Sequence, residues 1–281
     1  MNLAVGFLEF ECLEDLMKKS LLIIICFFCF RLNAEENKVA LLFLTRSDLN
    51  HTQLWKEWID YEKYNVYNHS KTRVIDPWFA QFRITETQPN EWGFILLAQQ
   101  ALLKAALQDS SNSKFVFLSE SCVPLRANDQ VYDILTSDDS SYMCWAPIWW
   151  TDRIRDLIEF PIDHQLGNHT WIILNRKHAE MIANDNYWIN IGMRHVVGDE
   201  AYPASFFSMN GVLGEFKNVL TTFVDWRRGN PFYPYHFKEA TEENIKILID
   251  ARKDPHACYL FGRKFSSTFP EYVLKCIQNE D

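Results

Sequence analysis

The run Val39-Ala40-Leu41-Leu42-Phe43-Leu44 contains no polar residue and stops abruptly at Thr45-Arg46-Ser47-Asp48. An apolar segment this short, with no alternation of polar and apolar positions, reads as a β-strand covered on both faces. Such a strand needs helices on two sides, which constrains the chain toward a layered α/β arrangement. Lys114-Phe115-Val116-Phe117-Leu118 repeats the pattern and leads into Ser119-Glu120-Ser121-Cys122-Val123-Pro124. Between the two, Leu54, Trp55, Trp58 and Ile59 have helical spacing within 51–62, and Asn65-Val66-Tyr67-Asn68 reads as a second strand. Ile95, Leu96, Leu103 and Leu107 line one face of a helix expected over 92–107.

The second half follows the same grammar. Thr170-Trp171-Ile172-Ile173-Leu174 reads as a strand and Arg176 to Asn184 as a helix, while Gly198-Asp199-Glu200 opens a helical stretch through Phe207. A strand is expected over 218–224, a helix with a Thr-Glu-Glu start over 241–251, and a last strand over 258–261. Strands alternating with helices predict a mostly parallel central sheet flanked by helices, whose ligands sit beyond the carboxyl ends of the strands. No internal repeat and no Pro/Gly-rich linker divides the sequence, so residues 35–281 read as one domain.

Composition excludes some functions. A net charge of -9 without a long basic run argues against nucleic acid as a partner. The 10 Trp, 11 Tyr and 21 Phe serve core packing or stacking on sugars and bases, and composition does not choose between these. At the N-terminus, Lys18-Lys19 precede an apolar run from Leu21 to Phe30 and then Leu32-Asn33-Ala34. Residues 1–34 therefore read as a secretory signal peptide starting at Met17, or as a short membrane anchor. Cleavage is favoured, because the run falls well short of the roughly 20 residues a spanning helix needs. The expected location is the secretory pathway or another extracytoplasmic site, Golgi-like in a eukaryotic host, with membrane association if the segment is retained. Cys122, Cys144, Cys258 and Cys276 remain after the leader, an even number that permits disulfides without requiring them.

Standard catalytic motifs are missing: there is no Gly-rich phosphate loop, nucleophile elbow or His-Glu-x-x-His. Asp138-Asp139 lies in Thr-Ser-Asp-Asp-Ser-Ser and reads as a solvated turn rather than a metal-holding Asp pair. Seven blocks taken in order are more specific: Phe43 to Arg46, Glu91-Trp92-Gly93, Phe117 to Leu125, Trp171 to Ala179, Gly198-Asp199-Glu200, Val224-Asp225-Trp226 and Leu260 to Phe265. Together they resemble the Core-2/I-branching family of β-glycosyltransferases, particularly its compact plant and bacterial members, over about residues 40 to 270. The resemblance implies a GT-A-like fold, a UDP-sugar donor that is often UDP-N-acetylglucosamine, inversion at the anomeric carbon, a glycan or glycoconjugate acceptor, and no metal or other cofactor.

Residue roles follow from that resemblance and from the chemistry. An inverting transfer needs one carboxylate to accept the acceptor's proton, and Glu200 matches the family's base, with Asp199 as a capping or orienting neighbour. A metal-free enzyme must offset the diphosphate charge with side-chain cations. Lys264 matches the family's lysine for this task, with Arg252 or Arg263 as its partner. Arg46, Ser47 and His69 end or follow early strands where such folds hold the nucleotide. Glu120, Trp226 and Asp225 fall where acceptor contacts are expected, and Trp149-Trp150 borders the cleft or packs in the core. Two alternatives stand beside the transferase: a sugar-binding relative that has lost turnover, and a glycoside hydrolase using Glu120 with Glu200.

Overall fold

The structure, a computed structural model, describes residues 37–147, 159–230 and 233–280. The leader at 1–34 and the Trp149-Trp150 pair lie outside these residues. The strands are β1 (Lys38–Thr45), β2 (Tyr64–Ser70), β3 (Asn112–Ser119), β4 (Val123–Pro124), β5 (Ser141–Tyr142), β6 (Trp145–Pro147), β7 (Leu166–Asn168), β8 (Ile173–Asn175), β9 (Phe216–Lys217), β10 (Thr222–Val224) and β11 (Phe261–Arg263). The main sheet has the order β2-β1-β3-β8-β5-β9. β1 pairs in parallel with both β2 and β3, β8 runs antiparallel to β3 and β5, and β9 is parallel to β5. This is the mostly parallel, helix-flanked α/β architecture that the sequence pattern predicts.

The apolar run in β1 divides its side chains between two cores, as strand geometry demands. Ala40, Leu42 and Leu44 join Leu102, Ala179 and Phe207 on one face, where helices Leu96–Ala106, Arg176–Asn184 and Tyr202–Met209 pack. Val39, Leu41 and Phe43 join Trp55, Phe79 and Val131 on the other. There the Phe43 ring meets Trp55 edge-on at 5.0 Å and Phe79 at 5.6 Å. A third core, with Leu125, Phe223, Leu248 and Phe265, covers the small sheet β10-β11-β4 beneath helices Glu242–Arg252 and Glu271–Gln278.

Several boundaries move for identifiable reasons. The helix expected over 92–107 begins only at Leu96, because Gly93 takes φ +81° and Glu91 and Phe94 form an isolated bridge. The helix expected over 51–62 ends at Trp58, where Ile59 turns extended with ψ 118°. The expected strands 218–224 and 258–261 touch through single hydrogen bonds, Cys258 N to Leu220 O and Leu260 N to Thr221 O, and become regular only as Thr222–Val224 beside Phe261–Arg263. The strand expected over 170–174 begins at Ile173. Helix Arg176–Asn184 lies where the sequence places it, and Thr241 caps its helix by accepting from Asn244 N at 3.2 Å. Asp138 sits in a turn, paired with Lys217 at 2.6 Å, and that ion pair holds its carboxyl down to about 2. Cys122, Cys144, Cys258 and Cys276 are all free thiols.

Several histidines are buried. His178 is fully enclosed, with Nδ1 2.7 Å from Ser141 Oγ and Nε2 3.2 Å from Glu215 Oε2. Burial lowers its pKa below the ordinary histidine value, an effect that Glu215 only partly opposes. His51 and His69 are lowered by burial as well. A histidine lowered in the folded state contributes stability that is complete above its unfolded pKa of about 6.5 and lost as pH falls through the folded value. Urea unfolding between pH 7.5 and 5.5 is therefore expected to show falling stability, in a range where carboxylates still contribute little. A flat profile across that window would contradict the burial of these rings.

Candidate active site

The candidate residues collect where the carboxyl ends of the parallel strands meet the start of an antiparallel one. β3 ends at Ser119 and is followed by Glu120, whose carbonyl accepts from Asn50 N at 2.9 Å. Because β8 runs antiparallel to β3, its leading residues Thr170 and Trp171 lie at this same edge; Phe117 N donates to Ile172 O at 3.3 Å. β11 continues the edge. Its antiparallel pairing with β4 brings Phe265 N to Ser121 O at 3.0 Å, so Lys264 emerges next to the loop that carries Glu120. Parallel pairing of Val224 with Arg263 sets Asp225-Trp226 beside Arg263-Lys264.

Glu200 sits on a tightly specified turn. It ends a 3-10 turn over Gly198–Glu200 that follows Val197 at φ 58°, a left-handed conformation unfavourable for a β-branched residue. Two backbone bonds hold Val197: its N–H donates to Gly93 O at 2.8 Å, and its carbonyl accepts from Glu200 N at 2.9 Å. The Glu91-Trp92-Gly93 block therefore meets the Gly198-Asp199-Glu200 block directly. Gly198 has no room for a side chain, since a Cβ there would lie 2.1 Å from Gly192 O. Asp199 is buried, its Oδ2 accepts from Thr170 Oγ1 at 2.8 Å, and burial raises its pKa.

Charge in the cleft is concentrated and opposed. Burial lowers the pKa of both Arg263 and Lys264, and Arg263 lowers Lys264 further. Glu120, Glu200 and Asp199 all act on Arg263 as counter-charges, and Glu120 also acts on Lys264. Two adjacent, partly buried cations repel each other until an anion arrives, the condition a diphosphate would satisfy. The Arg263 guanidinium lies 4.3 Å over the Trp171 ring. His236 stands at the rim, lowered by burial and then by Lys264, Lys238 and Arg263.

Other expected residues are placed differently. Trp226 is 44% exposed, leaving an open ring face at the cleft edge. Asp225, by contrast, is 2% exposed. Its carboxylate accepts from Arg227 N and Arg228 N and pairs with Arg228 Nε at 2.7 Å, so it organises its own turn and is unavailable to an acceptor. Arg252 is buried and donates to Glu280 O, which ties it to the C-terminal segment, while Arg263 adjoins Lys264 in sequence. Arg46 is exposed and Ser47 half-buried just past β1, with Arg46 O accepting from Thr72 N at 2.9 Å. His69 is buried, and Gln88 N donates to its Nε2 at 2.8 Å. It forms the wall of a cleft of about 600 Å³ with Ser70, Lys71, Asn90, Glu91 and Phe94, at the carboxyl end of β2 where a nucleotide would be expected. Among the described residues, no three His, Cys, Asp or Glu side chains stand close enough together to hold a metal ion.

Sequence reasoning did not single out Trp171, which lies under Arg263, or His236, whose pKa Lys264 and Arg263 lower. Trp171 reads as one more apolar strand residue, and His236 lies in a segment without periodicity. Trp171 does belong to one of the seven ordered blocks, the only sequence signal that pointed to it.

Comparison with known proteins identifies the family. The family model of the Core-2/I-Branching enzymes matches residues 39–249, well over half of the chain. That span contains Glu120, Trp171, Glu200 and Trp226, and ends before Arg263-Lys264. Glycosyltransferase BC10 of Oryza sativa subsp. japonica is 23% identical over 294 residues, covering 82% of this chain and 74% of the rice protein. A family match over most of the chain and a glycosyltransferase as relative, on a mostly parallel, helix-flanked sheet consistent with a GT-A-like fold, establish this chain as a glycosyltransferase belonging to the Core-2/I-branching enzyme family.

Proposed function

We propose that this glycosyltransferase moves a sugar, with N-acetylglucosamine as the leading choice, from a UDP-sugar to a carbohydrate hydroxyl, inverting the anomeric centre and using no metal. Glu200 accepts the proton of the acceptor hydroxyl as that oxygen attacks the anomeric carbon. The bond from that carbon to the diphosphate breaks on the opposite face, and UDP leaves with the bonding electrons. Lys264 and Arg263 offset the charge that develops there. The uridine end lies in the cleft beside Ser70 and Lys71, and Trp226 gives the acceptor ring an apolar platform. On this reading the N-terminal segment delivers the domain to a secretory compartment supplied with UDP-sugars.

The observation that carries the proposal is the pair Arg263-Lys264, adjacent, partly buried and faced by Glu120 and Glu200. Two repelling, partly buried cations held side by side cost stability, and an anionic ligand would offset that cost. One carboxylate is enough for an inverting displacement, which leaves Glu120 for contacts with acceptor hydroxyls.

Acceptor-dependent UDP release, measured with UDP-N-acetylglucosamine and a panel of β-galactoside and N-acetylgalactosamine acceptors, tests the reading. Release is expected to persist in EDTA, and Glu200→Gln is expected to lower kcat by about 100-fold or more. Release abolished by EDTA would overturn the metal-free mechanism. Silence with every UDP-sugar would favour a sugar-binding relative without turnover. For Lys264, the lowered pKa fixes a direction: deprotonation removes the cation as pH rises, so the alkaline limb of kcat/KM should fall below the ordinary lysine value. Lys264→Arg should push that limb upward, and Lys264→Ala should weaken UDP binding; an alkaline limb unchanged in the arginine variant would remove Lys264 from this role.

A further inference from the structure

The base and the cation of this site are anchored by two consecutive residues. Thr170 donates from Oγ1 to Asp199 Oδ2 at 2.8 Å, and Asp199 immediately precedes Glu200. Trp171 lies under the Arg263 guanidinium at 4.3 Å. The dipeptide lies at a bend just before β8, where Ile172 N donates to Thr170 O at 3.2 Å, and from there it reaches both the turn bearing the base and the strand end bearing the cation. Asn168, three residues before Trp171, completes the bracket around Glu200. Its Nδ2 donates to Asp199 O at 3.0 Å, and its Oδ1 accepts from Ala204 N at 3.1 Å. Asn168 is fully buried and Asp199 nearly so, which shields these bonds from competing water.

The stacking of Arg263 has a chemical consequence. Glu120, Glu200 and Asp199 all attract Arg263, yet its buried Nε has no hydrogen-bond partner among the described residues. A guanidinium fixed by a bidentate carboxylate has spent two of its five donors. One fixed by an indole face keeps its donors, because a cation–π contact uses the ring's π-cloud and none of the N–H groups. Trp171 thus restrains Arg263 while leaving its N–H groups for oxygens of an incoming anion.

We propose that Thr170 and Trp171 are paired positioning residues: Trp171 preorganises Arg263 for the diphosphate, and Thr170, through Asp199, orients Glu200 toward the acceptor hydroxyl. The proposal rests on the UDP-sugar transfer reading above. It assigns the two residues separate kinetic signatures. Loss of the indole weakens binding of the nucleotide, because Arg263 must then pay its own ordering entropy. Loss of the Thr170 hydroxyl leaves nucleotide binding intact and lowers the rate of the chemical step, because the base is misaligned.

The test uses the full chain, with calorimetric titration of UDP alongside acceptor-dependent UDP release. Trp171→Leu keeps an apolar side chain and removes the π face; it is expected to raise the Kd for UDP by about tenfold while kcat at saturating donor changes little. Trp171→Phe should recover most of that affinity. Thr170→Val is expected to lower kcat by about tenfold or more, with the UDP Kd unchanged and the acid limb of the kcat profile displaced, and Thr170→Ser should restore both. Unaltered UDP affinity in Trp171→Leu would overturn the assignment, and so would parallel losses of affinity, kcat and melting temperature in both variants, the signature of packing alone. A wild-type chain that neither binds UDP nor releases it from any UDP-sugar would instead overturn the transfer reading, and the positioning pair with it.

Discussion

Strand β1 is the element on which the rest depends. It is hydrogen-bonded on both edges, to β2 and to β3, and buried on both faces, so its direction sets the direction of everything around it. Every part of the cleft is reached from β1 in a few steps. β2 delivers Ser70 and Lys71, β3 delivers Glu120, β8 laid against β3 delivers Thr170-Trp171, and β11, tied to the segment after β3, delivers Arg263-Lys264. A parallel pair cannot close with a tight turn, so its crossovers are long, and their ends collect at one edge. The site lies there because of that geometry.

Electrostatics at this edge run against the protein as a whole. The chain carries a net charge of -9, yet Arg263 and Lys264 are adjacent and partly buried, with His236 and Lys238 nearby. Burial and mutual repulsion both disfavour their charged forms, and the surrounding acids only partly compensate. The backbone carries a similar local cost at Val197, held at positive φ by Gly93 and by the turn that presents Glu200. Local rules are broken at the two positions where the proposed chemistry needs a cation out of water and a carboxylate on a rigid turn.

Legibility in the sequence followed the length of each signal. β1 and β3 were legible because a long, doubly covered strand carries a continuous apolar run, and the nine-residue helix Arg176–Asn184 follows such a run in the block Trp171 to Ala179. β5 and β9, at two residues each, are too short for any period to register. The late start of helix Leu96–Ala106 depends on Gly93 meeting Val197 a hundred residues further on, a contact that local spacing does not encode. Among the candidate residues, Glu200 and Lys264 could be singled out because the ordered blocks that carry them resemble the family's. Asp225 and Arg252 looked equally available in sequence and proved to be committed elsewhere, to Arg228 and to Glu280.

The sequence by itself determined the α/β layering, the placement of β1, β2 and β3, the family resemblance and the charged residues from which a site could be drawn. Tertiary structure alone decided which of those charges stand together. It set Arg263 over Trp171, bound Thr170 to Asp199, committed Asp225 to its own turn and tied Arg252 to the C-terminal segment. The physical reason is the range of each effect: hydrophobic period is a property of neighbouring residues, whereas the partner of a buried charge depends on which distant loops meet at the sheet's edge.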